Sequence, residues 1–305
     1  MMKLGFVSAI LDNRSLEEVI DTAASIGYEC VEVACWPVEK ASRRYAGVTH
    51  INIEELDEEK IRHIHDYCEQ KGVAISALAY YPNVLTEDRA EQDRIRRHLI
   101  AMIEAAPKLQ VDTITTFIGR AQHKTVEENL ELMQEIWKPI LQAAEEKKVK
   151  IAIENCPMLF DDGQWPGGQN LMTTPAIWRK VFSLLPSDYL GLNYDPSHFI
   201  WQQMDYIAPL HEFKDKIFHV HYKDIKLYPD RLRDVGIMAY PLQYMSPKLP
   251  GLGDVDWGKY VSALNEIGYD GYSCIEIEDK AFEGTPERVL DSLKLSYRYM
   301  RQFVI

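Results

Sequence analysis

Basic residues, long apolar runs and paired cysteines are all scarce in this chain, and each shortage removes a class of function. Lys and Arg total 34 against 47 Asp and Glu, a formal net charge of −13 over 305 residues. A surface that acidic is not built to neutralise phosphates, which excludes nucleic acid as a first partner. No run approaches the roughly 18 apolar residues of a membrane span. The start, MMKLGFVSAILDN, has one Lys and too short an apolar run for a signal peptide. A cytoplasmic protein without a membrane partner is expected. The cysteines (Cys30, Cys35, Cys68, Cys156, Cys274) are odd in number, scattered and lack a CxxC pair. They are expected to be reduced thiols, with no structural zinc. Linkers rich in Pro, Gly or Ser, low-complexity tracts and short repeats are also missing, so residues 1–305 are expected to form one domain.

What is present is a core's worth of apolar sequence, 46% hydrophobic, arranged in a repeating order. KLGFVSAI reads as a strand, Ser15 and Glu18 as the capping box of an amphipathic helix, and YECVEVAC as the next strand. The pattern continues with a helix near 54–71 closed by Gly72, VAISALAY, a helix near 87–108, VDTITTFI, a helix near 125–147 and VKIAIEN. Then come a helix near 175–185, YLGLNYD, a helix near 203–213, KIFHVHYKD, a helix near 256–267, GYSCIEIED and a helix near 285–303. Eight strands, each followed by a helix, favour an α/β fold of the (β/α)8 TIM-barrel type over an open doubly wound sheet. The long irregular segments, 156–173 and 225–255, follow strands, on the face where such barrels carry chemistry.

Consecutive strands in the second half end in ionisable residues: IAIE at Glu154, GLNYD at Asp195, HVH at His221 and CIE at Glu276. Alternation along a strand puts Glu154 on the face of Ala152, Asp195 on that of Asn193, His221 on that of His219, and Glu276 with Cys274 and Glu278. These faces point into the barrel. Clustered carboxylates in a water-poor site repel one another, and a cation is the natural neutraliser. One nitrogen and three carboxylates suit one divalent ion, Mn²⁺ or Mg²⁺ first, Co²⁺ or Zn²⁺ next.

ENCP, NYDPSHF, HVHYKD, PGLGDVDW and IEIED, in that order and spacing, resemble the xylose-isomerase-like TIM-barrel superfamily of sugar isomerases and epimerases. Type IV AP endonucleases are distant members. The resemblance implies metal ligands at Glu154, Asp195, His221 and Glu276, with the two glutamates as acid and base, and a substrate-binding role for His198. His219 is expected to orient a ligand from one layer deeper, and Asn155 to support the ligand beside it. The DNA-repair members use further ligands where this chain has Cys35-Trp36, Tyr80-Tyr81 and KLYPDRLRD, which argues against a three-metal nuclease. Ketose 3-epimerases carry a Glu and an Arg where Phe160 and Leu227 stand, which puts 3-epimerisation of free ketoses in doubt.

The expected activity is a metal-dependent isomerase or epimerase of a sugar or polyol, working through an enediolate. The same ligands would serve a lyase, either a keto-inositol dehydratase or a subunit that cleaves 3-keto-glycosides with a partner subunit. A carbohydrate-binding protein without catalysis is the third alternative. Trp36 and Trp165, with Tyr80 and Tyr81, are candidates for an aromatic platform, and Lys223 and Lys226 for polar contacts to substrate. The GLG at 251–253 reads as a tight loop in preference to a phosphate cradle. A homodimer is the expected assembly.

Overall fold

The computed structural model describes residues 1–38, 46–159, 163 and 165–304. Phe160, where the epimerase pattern has its extra Glu, lies outside the described residues. The strands are β1 (Lys3–Val7), β2 (Cys30–Ala34), β3 (Ala74–Ala79), β4 (Thr113–Thr116), β5 (Lys150–Glu154), β6 (Leu190–Tyr194), β7 (Ile217–Tyr222), β8 (Asp224–Leu227), β9 (Met245–Lys248) and β10 (Tyr272–Ile275). The helices are α1 (Leu16–Ile26), α2 (Glu58–Lys71), α3 (Arg89–Ala105), α4 (Val126–Lys147), α5 (Pro175–Leu184), α6 (Ser197–Trp201), α7 (Ala208–Glu212), α8 (Pro229–Val235), α9 (Trp257–Glu266) and α10 (Pro286–Met300). Parallel strands close a barrel in the order β1-β10-β7-β6-β5-β4-β3-β2, the expected TIM-barrel architecture. The strands are buried because helices cover their outer face, so apolar residues run almost unbroken along them.

Local chemistry sets most helix boundaries. Ser15 and Glu18 form both halves of the capping box of α1, with Ser15 N–H donating to Glu18 at 2.9 Å and Glu18 N–H to Ser15 at 3.3 Å. Thr125 and Glu128 do the same for α4. Asp57 caps α2, so the helix begins at Glu58; the acidic residues before it form a separate short turn, Ile53–Glu55.

The expected helix near 203–213 is not formed as one piece. The short α6 ends at Trp201 with Gln202 as its cap, Gln203 takes a left-handed φ of 56°, and α7 starts only at Ala208, with Pro209 in its first turn. Asp205 fixes the intervening turn by accepting from Ile207 N–H at 2.7 Å. The segment 225–255 is likewise more ordered than an irregular loop. The chain leaves β7, passes Lys223 and pairs β8 antiparallel with β9, with α8 at the tip of the excursion.

Candidate metal centre

The barrel delivers its ionisable residues at the carboxyl ends of neighbouring strands. Glu154 is the last residue of β5, Asp195 follows β6, His221 lies in β7 and Glu276 follows β10. His221 Nδ1 is 3.7 Å from Glu154 Oε1 and 3.3 Å from Glu276 Oε2. Ligand atoms of Glu154, His221 and Glu276 all lie within 4.8 Å of one another. Asp195 stands beside this trio, its Oδ2 3.2 Å from both His198 Nε2 and Lys223 Nζ. Glu154 Oε1, Asp195 Oδ2 and His221 Nδ1 are buried without a partner in hydrogen-bond geometry. Buried polar atoms are rarely left so, and several of them around one point fit a missing cation. The donor set, carboxylates with one imidazole, suits a borderline-to-hard divalent ion.

His221 presents Nδ1 because Glu32 takes its other nitrogen. Glu32, in β2, is fully buried and 2.6 Å from His221 Nε2, a contact that orients the ring so that Nδ1 faces the cluster. Tyr81 and Thr115 donate to Glu32 Oε1 at 2.6 and 2.8 Å. His219 lies deeper, 3.0 Å from Asn193 Oδ1 and 3.2 Å from Ser76 Oγ, so it reaches the ligands only through Asn193 and Glu32. Asn155 ties the ends of β5 and β6, donating to the Asp195 carbonyl at 2.9 Å and accepting from the Asp195 N–H at 2.8 Å. Sequence reasoning passed over Glu32, although it is the charged residue inside the apolar run CVEVAC.

Lys223 sits inside the cluster rather than at its rim. Its Nζ is 2.8 Å from Glu276, 3.2 Å from Asp195, 3.4 Å from Glu278 and 3.9 Å from Glu154. Lys226, by contrast, is turned away and pairs with Asp254.

The charges are unevenly held. Burial works to raise the Glu32 carboxyl, but His221 and His219 facing it hold it down to about 2. Burial also opposes ionisation of Glu154 and Asp195, yet His198, His221 and Lys223 hold Glu154, and Lys223 and His198 hold Asp195, below the usual carboxylate range. For Glu276 burial prevails, aided by Glu154 and Glu278, and its affinity for a proton is raised. Burial favours neutral Lys223, and the carboxylates around it more than restore its charge.

A cavity of about 380 Å³ opens above the cluster, lined by Glu154, His198, His221, Lys223 and Glu276 at one pole and by Trp36, Tyr81 and Trp201 elsewhere. Tyr80 is buried behind Trp36, edge-on at 4.8 Å. Trp165 packs 6.0 Å from Trp201 and donates to the Met238 carbonyl at 2.8 Å, so it backs the cavity wall without lining it. The GLG loop is occupied by the protein itself. Asp224 accepts from the N–H groups of Ile225, Gly251, Gly253 and Val255 and from Trp257 Nε1, so those amides hold a carboxylate and no phosphate. Gly251 has φ 89°, and a Cβ on Gly253 would collide with that carboxylate, which explains both glycines.

Comparison with known proteins adds the following. The model of the family described as xylose isomerase-like TIM barrel matches residues 20–299. Uncharacterized protein YfiH of Bacillus subtilis (strain 168) is 24% identical over 313 residues, 91% of this chain and 93% of that protein. The inosose dehydratase of Lactiplantibacillus plantarum is 29% identical over 144 residues, 45% of this chain and 45% of that enzyme. Among solved structures, the IolI protein with a bound zinc atom superposes with a TM-score of 0.70 at 21% identity, over 98% of this chain and 99% of that one. D-psicose 3-epimerase with D-tagatose, from Clostridium cellulolyticum H10, gives 0.71 at 14% identity, over 99% of each chain.

Proposed function

The chain belongs to the xylose isomerase-like TIM-barrel family, and from that premise we propose a divalent-metal-dependent enzyme that moves a proton beside a carbonyl of a sugar or polyol, as an isomerase or epimerase. The observation that carries this reading is the convergence of Glu154 Oε1, Asp195 Oδ2 and His221 Nδ1, buried and without a partner in hydrogen-bond geometry, beside Glu276 at the foot of the cavity. Glu154, Asp195, His221 and Glu276 would hold one divalent ion, Mn²⁺ first, and zinc in the IolI structure fits the same class of ion. Such an ion, when bound, polarises the substrate's carbonyl oxygen as a Lewis acid and so acidifies the neighbouring carbon.

The remaining work falls to side chains. Glu154, held ionised, is the base for the carbon proton, and Glu276, whose affinity for a proton is raised by burial, is the group that returns one. The two come from strands three places apart around the barrel, β5 and β10, which lets them address the substrate from different sides. His198 is oriented by Trp201, whose Nε1 faces His198 Nδ1 at 3.5 Å. Indole N–H is a donor only, so the imidazole proton sits on Nε2, aimed at the cluster and at an oxyanion forming there.

The dehydratase relatives favour a second reading on the same residues. Glu154 would remove the same proton, and the group on the next carbon would leave as water, with Glu276 as its proton donor. One experiment addresses both. The Mn²⁺-loaded protein and its Glu154→Gln variant are incubated in D₂O with ketoses and keto-inositols. Deuterium at a carbon beside the carbonyl, at least about a hundredfold slower in the variant, is expected; recovered substrate or epimer marks an isomerase, and a dehydrated product marks a lyase. Undeuterated, unchanged substrate throughout would defeat both readings.

A further inference from the structure

Most charged groups in the cavity gather at one pole, where Glu154, His198, His221, Lys223, Glu276 and Glu278 contact one another. Over the rest of the described wall most side chains are apolar, among them Ile10, Trp36, Phe117, Trp201, Leu242 and Met245. Ser197 and Lys280 also line the cavity, and two further polar residues that reach it are engaged elsewhere. Tyr81 donates to Glu32, and the Asp224 carboxylate is surrounded by its own loop's N–H donors. A free sugar or inositol carries an oxygen on nearly every carbon, and hydroxyls pressed against such a wall would lose water without gaining a partner. At about 380 Å³ the space falls within the range that holds drug-sized ligands. Leu242, 44% exposed, continues the apolar wall out to the rim.

We propose that the substrate is amphiphilic: a keto sugar or keto polyol joined to a planar, apolar group that occupies the apolar part of the cavity, which Trp36, Phe117, Trp201 and Leu242 help to line. This rests on the proton-transfer reading for the polar pole and adds the second half of the molecule. Flat indole and phenyl faces favour a flat partner, because stacking contributes beyond the area removed from water.

Calorimetric titration in Mn²⁺ buffer with methyl and phenyl glucosides, both anomers of each, and with free glucose tests it. The phenyl compounds are expected to bind at least about tenfold tighter than the methyl ones. Leu242→Ser, at a half-exposed position, is expected to shrink that preference severalfold. Equal affinity for phenyl and methyl glucosides, glucose binding as tightly as the phenyl compounds, or no glycoside binding would each overturn the proposal. A ratio of one with isotope exchange intact counts only against the apolar group; lost exchange with the preference intact counts only against proton transfer.

Discussion

Glu32 determines which nitrogen of His221 faces the cavity, and it does so from a strand on the far side of the cluster. Replacing it with Gln keeps the shape but removes the charge that orients the ring. Glu32→Gln is therefore expected to weaken Mn²⁺ binding by about 10–100-fold in calorimetry, with the circular dichroism spectrum unchanged; undiminished affinity would make Glu32 a bystander. Lys223 acts in the opposite sense. Its ammonium lies among the carboxylates that would hold the ion and opposes a second cation there. Lys223→Met is expected to bind Mn²⁺ at least about tenfold tighter, close to 1.4 kcal/mol, and to be less stable than the parent when both are stripped of metal. Weaker binding by Lys223→Met would show that the lysine supports the ion's site. Glu154, Asp195, His221 and Glu276 were legible because charge at the end of an apolar strand stands out. Glu32 and Lys223 were harder to place: one sits mid-strand, and the other's position depends on how the chain turns after β7.

Among elements, the excursion from β8 to β9 shows where sequence reading stopped short. Alternation and apolar content mark barrel strands, but β8 and β9 are partly exposed and carry neither mark clearly. What orders them is Asp224, whose carboxylate gathers the Gly251, Gly253 and Val255 amides and the Trp257 indole. Asp224→Ala would leave those donors buried and unpaired. It is expected to lower stability by about 3 kcal/mol or more in urea unfolding, and Asp224→Asn by less, since the amide keeps one acceptor oxygen. A loss below about 1 kcal/mol for Asp224→Ala would mean water replaces the carboxylate. The helix expected near 203–213 failed for a related reason: Asp205 and Pro209 favour a turn and a helix start, which periodicity alone does not weigh against the apolar spacing.

At the scale of the molecule, closure of the barrel brings residues distant in sequence to one point. Ser76 of β3 meets His219 of β7 and Cys274 of β10 near the axis, and Glu32 of β2 meets His221 of β7 above them. The strand–helix order predicted this closure, because eight such units twist into a cylinder whose strand ends face one side. What order alone did not supply is the chemistry across the axis, since contacts such as Glu32 to His221 join segments with no local relation in sequence. The central claim is that this convergence is a divalent metal site. Its most direct test is metal content after equilibrium dialysis against Mn²⁺, for the parent and for Asp195→Ala and His221→Ala, each confirmed folded by circular dichroism. The account predicts about one Mn²⁺ per chain in the parent and below about a tenth in each variant, following the loss of a ligand and its charge. Stoichiometric metal in both variants, or none in the parent, would contradict it.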